Sequence, residues 1–342
     1  MKYSELKNIK YISQRLLIEE SLARGINVDY LNKKQGDMAF FELSYKNHFE
    51  YISGGIISKM TAITHHCVTN KYLTKIFLER KKINVSKGML FSKKNIAEAF
   101  MFIKKIGYPI VVKKNDGSRG NLVFVGIKNQ KDCNLAIEKI LKKNNYILVE
   151  KEFKGKEFRF VVSRDKVFAV TNREPANVIG DGIYNIKELI KAKNSDPKRG
   201  EHYRSPLVKI KIDKTIKQNL FEQGININYI PNKGEKIYLR KEAAISTGGD
   251  SIDVTDRVHS DIKKIAIKTI KAIPGLAYAG VDFMTNQDIS KKPTKNSYVI
   301  IEINSYPGIF MHYSPYQGKS RNVAKGIIDI LFSETRGKYI KK

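Results

Sequence analysis

Cysteine is scarce in this 342-residue chain. Cys67 and Cys133 stand far apart, with no spacing of the metal-binding kind. A disulfide framework is therefore not expected, and two unpaired thiols in a reduced, cytoplasmic protein are the default reading. Long apolar runs are also missing. No window approaches the roughly 18 consecutive apolar residues that a membrane span needs. The first ten residues, M-K-Y-S-E-L-K-N-I-K, lack the apolar stretch of a secretory leader, so none is expected. Acidic residues are few: 34 Asp and Glu face 63 Lys and Arg, a net charge of +29. Three explanations stay open: a Lys-rich solvated surface, an anionic small substrate, or a nucleic-acid partner. The lysines form no run of five or more and no basic stripe interleaved with aromatics. Nucleic acid is therefore not an expected partner. No internal repeat is evident.

What is present suits a globular protein with a sizeable core: 42% hydrophobic and 28% charged residues, at a length that suggests more than one domain. Helical spacing marks residues 10–24, 70–80, 96–106, 132–142, 185–193, 262–273 and 323–332. Gly25 and Gly107 stand where two of these should stop. Strand patterns fall at 26–31, 39–43, 48–52, 109–113, 122–127, 146–149, 159–162, 167–171, 237–240, 279–284 and 298–303. The expected fold class is α+β. A small α/β unit spans 1–66, a middle unit 67–150 and a larger unit 151–336, with a frayed tail at 337–342.

Residues 298–307, Y-V-I-I-E-I-N-S-Y-P, carry two oxygen donors inside an apolar strand. Side chains alternate faces with period two, so Glu302 and Asn304 share a face opposite Ile301 and Ile303. A hairpin to the strand at 279–284 would add Asp282. Two carboxylates and an amide oxygen suit Mg²⁺ that keeps some waters and binds phosphate oxygens. The same residues also read as the wet face of an antiparallel sheet. Upstream, the strand at 109–113 ends in Lys113 and leads into N-D-G-S-R-G-N at 115–121. Such a hairpin can fold backbone N–H groups over a phosphate, or it can be a plain turn that uses glycine for positive φ. Lys71 lies in the first turn of its helix, where the dipole disfavours a cation. A strand ending at Glu150 runs into an extended link that can read an adenine edge and a ribose hydroxyl, or can be a charged connection. The small residues 246–249 suit close approach of an anionic ligand.

In order, Lys113, the glycines at 117–120, Glu150 with Glu157 seven residues on, and Asp282, Glu302 and Asn304 resemble the ATP-grasp superfamily. Four longer stretches sharpen the likeness: R-E-P-A-N-V-I-G-D-G, D-P-K-R-G-E-H-Y-R-S-P-L, I-S-T-G-G-D-S-I-D-V-T-D-R-V-H and Y-Q-G-K-S-R. They look like the glutathione synthetase module of bifunctional glutamate–cysteine ligase/glutathione synthetases. They are also similar to the ATP-grasp module of cyanophycin synthetases, to which N-S-Y-P-G-I-F-M-H is nearer. The resemblance spans about residues 12–332. It implies an ATP-grasp fold, two α+β subdomains gripping ATP, behind a small N-terminal unit.

The resemblance also implies roles. Lys71 and Lys113 would contact nucleotide phosphates, beneath a lid that includes Gly117, Ser118 and Gly120. The hinge at Glu150, Lys151 and Phe153 would meet adenine, and Glu157 the ribose. Asp282, Glu302 and Asn304 would hold two Mg²⁺ ions, for which Mn²⁺ could substitute. Arg173, Arg240 and Arg321 would be the catalytic cations, facing phosphate or substrate carboxylate. The pattern departs at Asn121–Leu122, where a second lid glycine is expected, and at Ala244, where the family has Asn. The implied activity is an ATP-dependent carboxylate–amine ligase acting through an acyl phosphate. Its substrates would be small molecules, in glutathione-synthetase-like use a γ-glutamyl dipeptide and an amino acid. It is expected as a stand-alone module, without nucleic acid or membrane, and as a candidate homodimer. A ligase of cyanophycin-synthetase type with an acidic acceptor, and a regulatory nucleotide-binding protein, are the alternatives. Both cysteines would then be structural.

Overall fold

The computed structural model describes residues 1–32, 39–117, 122–201 and 205–340. Helix α1 (Ile12–Ala23) is followed by β1 (Asn27–Tyr30), β2 (Phe40–Tyr45), β3 (His48–Ser53) and β4 (Ile56–Ile57), one antiparallel sheet in that order. Gly25, at φ +72°, turns the chain out of α1, as the sequence suggests. Next come α2 (Ala62–Thr69) and α3 (Lys71–Arg80), joined at Asn70, whose side chain caps α3 by accepting from Leu73 N–H at 2.9 Å.

The middle sheet comprises β5 (Gly88–Ser92), then, after α4 (Ile96–Ile106), β6 (Ile110–Lys113) and β7 (Val123–Ile127), and, after α5 (Gln130–Leu141), β8 (Tyr146–Lys151). Its strand order is β5-β8-β6-β7. Apolar faces of α4 and α5 close its core through Ala99, Ile103, Cys133, Ile137 and Ile140.

The third sheet positions the site. It uses β9 (Lys156–Ser163) and β10 (Val167–Glu174). Between β10 and its later neighbour lies an inserted stretch: β11 (Asn177–Ile179), α6 (Ile186–Asn194), β12 (Arg199–Gly200), β13 (Leu207–Val208), α7 (Lys214–Glu222) and β14 (Lys236–Tyr238). This insert has a core of its own, built on Val178, Ile190, Ile216, Leu220 and Ile237. The chain re-enters the sheet as β15 (Asp250–Asp253), crosses α8 (Ser260–Ala272), and adds β16 (Tyr278–Thr285) and β17 (Tyr298–Asn304). All neighbours in the order β15-β10-β9-β16-β17 are antiparallel. Helices α2, α3 and α8 cover one face, burying Leu78, Ile262, Ile270, Phe160 and Phe283. Short α9 (Phe310–Tyr313) and α10 (Val323–Leu331) join α1 and the N-terminal sheet in one continuous core.

Three expectations change. The tail is not frayed through Ile340: Ile340 N–H donates to Ala23 O at 3.0 Å and Tyr339 Oη to Glu20 at 2.9 Å. Elements β5, α2 and α7 were not legible in the sequence. Period two also fails within β17. The register pairs Asp282 with Glu302 but Phe283 with Ile300, so Ile301 is an extra, bulged residue. Ile300 and Ile303 are buried, and Ile301 is only half-buried. No helix among the described residues is long and apolar enough to cross a membrane.

Candidate active site

The large sheet aligns a row of polar residues. Asp253, Thr171, Arg159, Asp282 and Glu302 lie directly opposite one another on β15, β10, β9, β16 and β17. Opposed residues point to the same face, so charge of both signs is gathered on one surface. Arg159 and Asp282 are buried and form a two-pronged pair: Nε donates to Oδ1 and Nη2 to Oδ2 at 3.0 Å. Arg173 adds a bond to Asp282 Oδ2 at 3.1 Å and an ion pair with Glu157, its register partner. Burial alone would raise the Asp282 carboxyl, but the two guanidiniums outweigh it and hold the group below the usual carboxylate range. Gly280, opposite Asn304, keeps this arrangement possible. A Cβ there would come within 2.8 Å of Pro307 Cβ and 3.2 Å of Arg159 Cδ.

At the far end of the row, Arg321 grips Asp253 through Nε at 3.0 Å and Nη2 at 2.7 Å, and Asp256 at 2.9 Å. His312 is buried beside Thr171, Nδ1 to Oγ1 2.8 Å. Burial and the nearby Arg159 push its imidazole down to about 3, so it is neutral.

A second group faces the row across α3. Lys71 donates from Nζ to Gly117 O at 2.7 Å and stands 3.7 Å from Glu302 Oε1. Burial lowers its pKa, and Lys113 and Lys114 add repulsion. The first turn of α3, which the dipole makes poor for a cation, is pinned by Asn115: its O accepts from Lys71 N–H at 3.0 Å and its Oδ1 from Tyr72 N–H at 2.9 Å. Glu150, at the end of β8, is buried between Lys75 at 2.9 Å and Lys113 at 2.7 Å. Burial would raise its carboxyl, yet the two ammoniums hold it low. Gly88, its partner on β5, lets the side chain lie across the strand; a Cβ there would meet Glu150 Cγ at 2.7 Å.

The sequence-derived residues thus fall into distinct places. Lys71, Lys113, Gly117, Glu150 and Glu302 form one cluster. Asp282, Arg173 and Glu157 form an adjoining one, and Arg321 bonds Asp253 at the end of the row. Asn304 closes β17, with Nδ2 buried and without a partner among the described residues. Lys151 is occupied elsewhere, donating to Gly107 O at 3.1 Å and Tyr108 O at 2.8 Å. Phe153 is half-buried. Arg240 stands beside the insert's core, paired with Asp213. Ser118 and Gly120 lie outside the described residues. The loop at 246–249 has a packing explanation instead. Its amides at Thr247, Gly248 and Gly249 bond back to Ala244 O and Ile245 O, and Gly248 and Gly249 abut Ile210 and Glu174 O. Arg159 and Lys75 were missed. Each shares a face with a residue already singled out: Arg159 two on from Glu157 in a strand, Lys75 four on from Lys71 in a helix.

The donor chemistry at β16–β17 fits a hard cation. Asp282, Glu302 and Asn304 offer only oxygen to a metal. Among the described residues no group of three or more His, Cys, Asp or Glu could hold one. An ion here would depend on the Asn304 amide and on oxygens brought by a ligand, which is the habit of Mg²⁺.

Comparison with known proteins bears on the fold. Residues 68–183 match the family described as RimK-like ATP-grasp domain. The chain is 37% identical over 326 residues to the glutathione biosynthesis bifunctional protein GshAB of Clostridium perfringens, covering 94% of this chain and 41% of that protein. It is 36% identical over 323 residues to a cyanophycin synthetase of Crocosphaera subtropica, covering 94% and 36%. A crystal structure of a bifunctional glutathione synthetase from Pasteurella multocida superposes with TM-score 0.73 at 33% identity, over 97% of this chain and 44% of that one. The chain therefore spans less than half the length of these relatives. Its fold is the ATP-grasp fold, and within it residues 68–183 are similar to the RimK-like ATP-grasp domain.

Proposed function

We propose that this chain is an ATP- and Mg²⁺-dependent carboxylate–amine ligase of the glutathione-synthetase kind, joining a γ-glutamyl dipeptide to an amino acid. The observation that carries the reading is the buried surplus of ammonium groups. Lys71, Lys75 and Lys113 converge with two carboxylates, Glu150 and Glu302, beside a face of oxygen donors. Buried cations in excess of their partners call for an anion, and a nucleotide triphosphate supplies one. The glutathione biosynthesis in the relatives' names supports this choice of acid and amine.

In this reading Lys71 and Lys113 bind phosphate oxygens, and Gly117, Ser118 and Gly120 belong to the lid. The hinge at Glu150, Lys151 and Phe153 borders adenine, and Glu157 takes the ribose hydroxyls. Asp282, Glu302 and Asn304 would hold Mg²⁺, two ions in the full site, with Mn²⁺ able to replace them. Bound metal would neutralise charge on the phosphate oxygens. The substrate carboxylate attacks the γ-phosphorus in line and ADP leaves, giving an acyl phosphate. The amine nitrogen then attacks the acyl carbon. Inorganic phosphate leaves with its bonding electrons, and the nitrogen loses a proton. Arg173, Arg240 and Arg321 orient the carboxylate and the phosphoryl group. No side-chain nucleophile is needed, and catalysis is positioning and charge stabilisation with water excluded. The division at 1–66, 67–150, 151–336 and 337–342 and a homodimeric, cytoplasmic state complete the proposal.

The identity to a cyanophycin synthetase favours one second reading, the same chemistry on a different, acidic acceptor. ADP release with Mg-ATP and a panel of amino acids and γ-glutamyl peptides decides. Turnover with γ-glutamylcysteine plus glycine is expected. Turnover only with other pairs selects the second reading, and no ADP with any pair removes both.

A further inference from the structure

The Glu150 carboxylate is divided between two lysines from different elements. Oε1 takes Lys75 of α3 at 2.9 Å, and Oε2 takes Lys113 of β6 at 2.7 Å. All three side chains are buried. Lys75 also donates to Ser86 O, which fixes it against the start of β5. Lys113 has no further hydrogen-bond or ion-pair partner among the described residues. An ammonium has three N–H donors, so two of them are left for a ligand.

We propose that Lys75 is a positioning residue for nucleotide binding: by holding one oxygen of Glu150, it keeps that carboxylate from neutralising Lys113. This rests on the reading of the cleft as a nucleotide site. The charge balance explains why a second lysine is needed. One carboxylate between two ammoniums leaves a net positive group facing the phosphates. Without Lys75, Glu150 and Lys113 form a neutral pair. The freed carboxylate oxygen then competes for the Lys113 donors and repels an incoming polyanion. Lys75 lies one helical turn beyond Lys71, so a single face of α3 sets both phosphate-facing lysines, one directly and one through Glu150. A lysine that merely ties α3 to β8 would lower the melting temperature and leave the affinity of the folded chain unchanged. That difference makes the role testable.

The test measures binding of a non-hydrolysable ATP analogue with Mg²⁺ by titration calorimetry. It compares the whole chain with its Lys75→Met, Lys75→Arg, Glu150→Gln and Lys75→Met/Glu150→Gln variants, with a melting curve for each. Lys75→Met is expected to weaken binding about ten- to a hundred-fold, the range set by a lost charged hydrogen bond. Lys75→Arg should bind within a few-fold of the parent, on the order of the usual cost of a shifted charge pair. In the Glu150→Gln background, Lys75→Met should have almost no further effect on affinity. That comparison stands even if Lys75→Met alone fails to fold. Parent-like binding by Lys75→Met overturns the inference. So does an undiminished effect of Lys75→Met once Glu150 is Gln. A parent chain that binds no analogue overturns the nucleotide reading and this inference together. Parent binding with either of the other two results overturns the inference alone.

Discussion

Replacing Arg159 by Leu probes the least expected part of the site. Arg159 and Asp282 are 8% and 6% exposed, and two parallel hydrogen bonds join them. Removing one member of a buried pair costs about 3–5 kcal/mol, because the other charge is stranded. Here Arg173 remains 3.1 Å from Asp282, so the expected loss is about 3 kcal/mol, the lower end of that range. With a urea slope of about 3 kcal/mol per M, the midpoint should fall by about 1 M. Asp282→Asn placed on top should recover part of the loss, since no stranded charge is left. Metal response gives a second readout. In the parent chain both Asp282 oxygens are engaged by guanidiniums, so Mg²⁺ without nucleotide should barely raise Tm. In Arg159→Leu the carboxylate is released toward Glu302, and millimolar Mg²⁺ should raise Tm measurably by mass action. The pH dependence has a definite sign. The Asp282 carboxyl is held below its ordinary value. Its contribution is therefore complete above about pH 4 and is lost as pH falls through the lowered value. An unchanged urea midpoint together with equal Mg²⁺ responses in both chains would refute this reasoning.

Two further outcomes follow from buried or paired titratable groups. His48 places Nδ1 2.7 Å from Glu334 and Nε2 3.1 Å from Glu50, and the bond to Glu334 leads in raising its imidazole pKa. Its stabilisation, about 0.5 kcal/mol for so exposed a group, is present below about pH 6.5 and lost as pH rises through the raised value. The Tm gap between the parent and His48→Gln should therefore close between mildly acidic and mildly alkaline buffer. Cys67 and Cys133 are buried, and burial pushes the Cys133 thiol up to about 11. Neither should react with a thiol reagent at pH 8 in the folded chain, and both should react in denaturant.

The parts of the fold and site that were legible share a physical signature. Helices α1, α3, α4 and α8 show apolar spacing near 3.6, and Gly25 and Gly107 mark two ends. Strand β17 is a run of β-branched residues and β16 a mostly apolar run, each around an isolated acid, so the pairing of Asp282 with Glu302 is legible in the sequence. The bulge at Ile301 is not, because V-I-I-E-I is apolar at every position that would betray a slip in period. Helix α7 is lysine-rich and short, and only Asp213 as its cap signals it. The dual use of Glu150 escaped sequence reading for another reason. An acid ending a strand looks alike whether it meets a ligand or two lysines, and Lys75 comes from an element 75 residues upstream. Arg159 was hidden within a charged segment, K-G-K-E-F-R, that resembles a solvated link until β9 takes it into the middle of the sheet. The glycines at 248 and 249 suggested a ligand, but they make room for Ile210 and the Glu174 backbone.

The central claim is activation of a carboxylate by ATP, and isotope transfer tests it most directly. The acid substrate, with both carboxylate oxygens replaced by ¹⁸O, is turned over with Mg-ATP and the amine, and the inorganic phosphate is analysed by mass spectrometry. The account predicts one ¹⁸O in each phosphate released, none in ADP, and one retained in the new amide. Unlabelled phosphate, or AMP and pyrophosphate in place of ADP and phosphate, would contradict it.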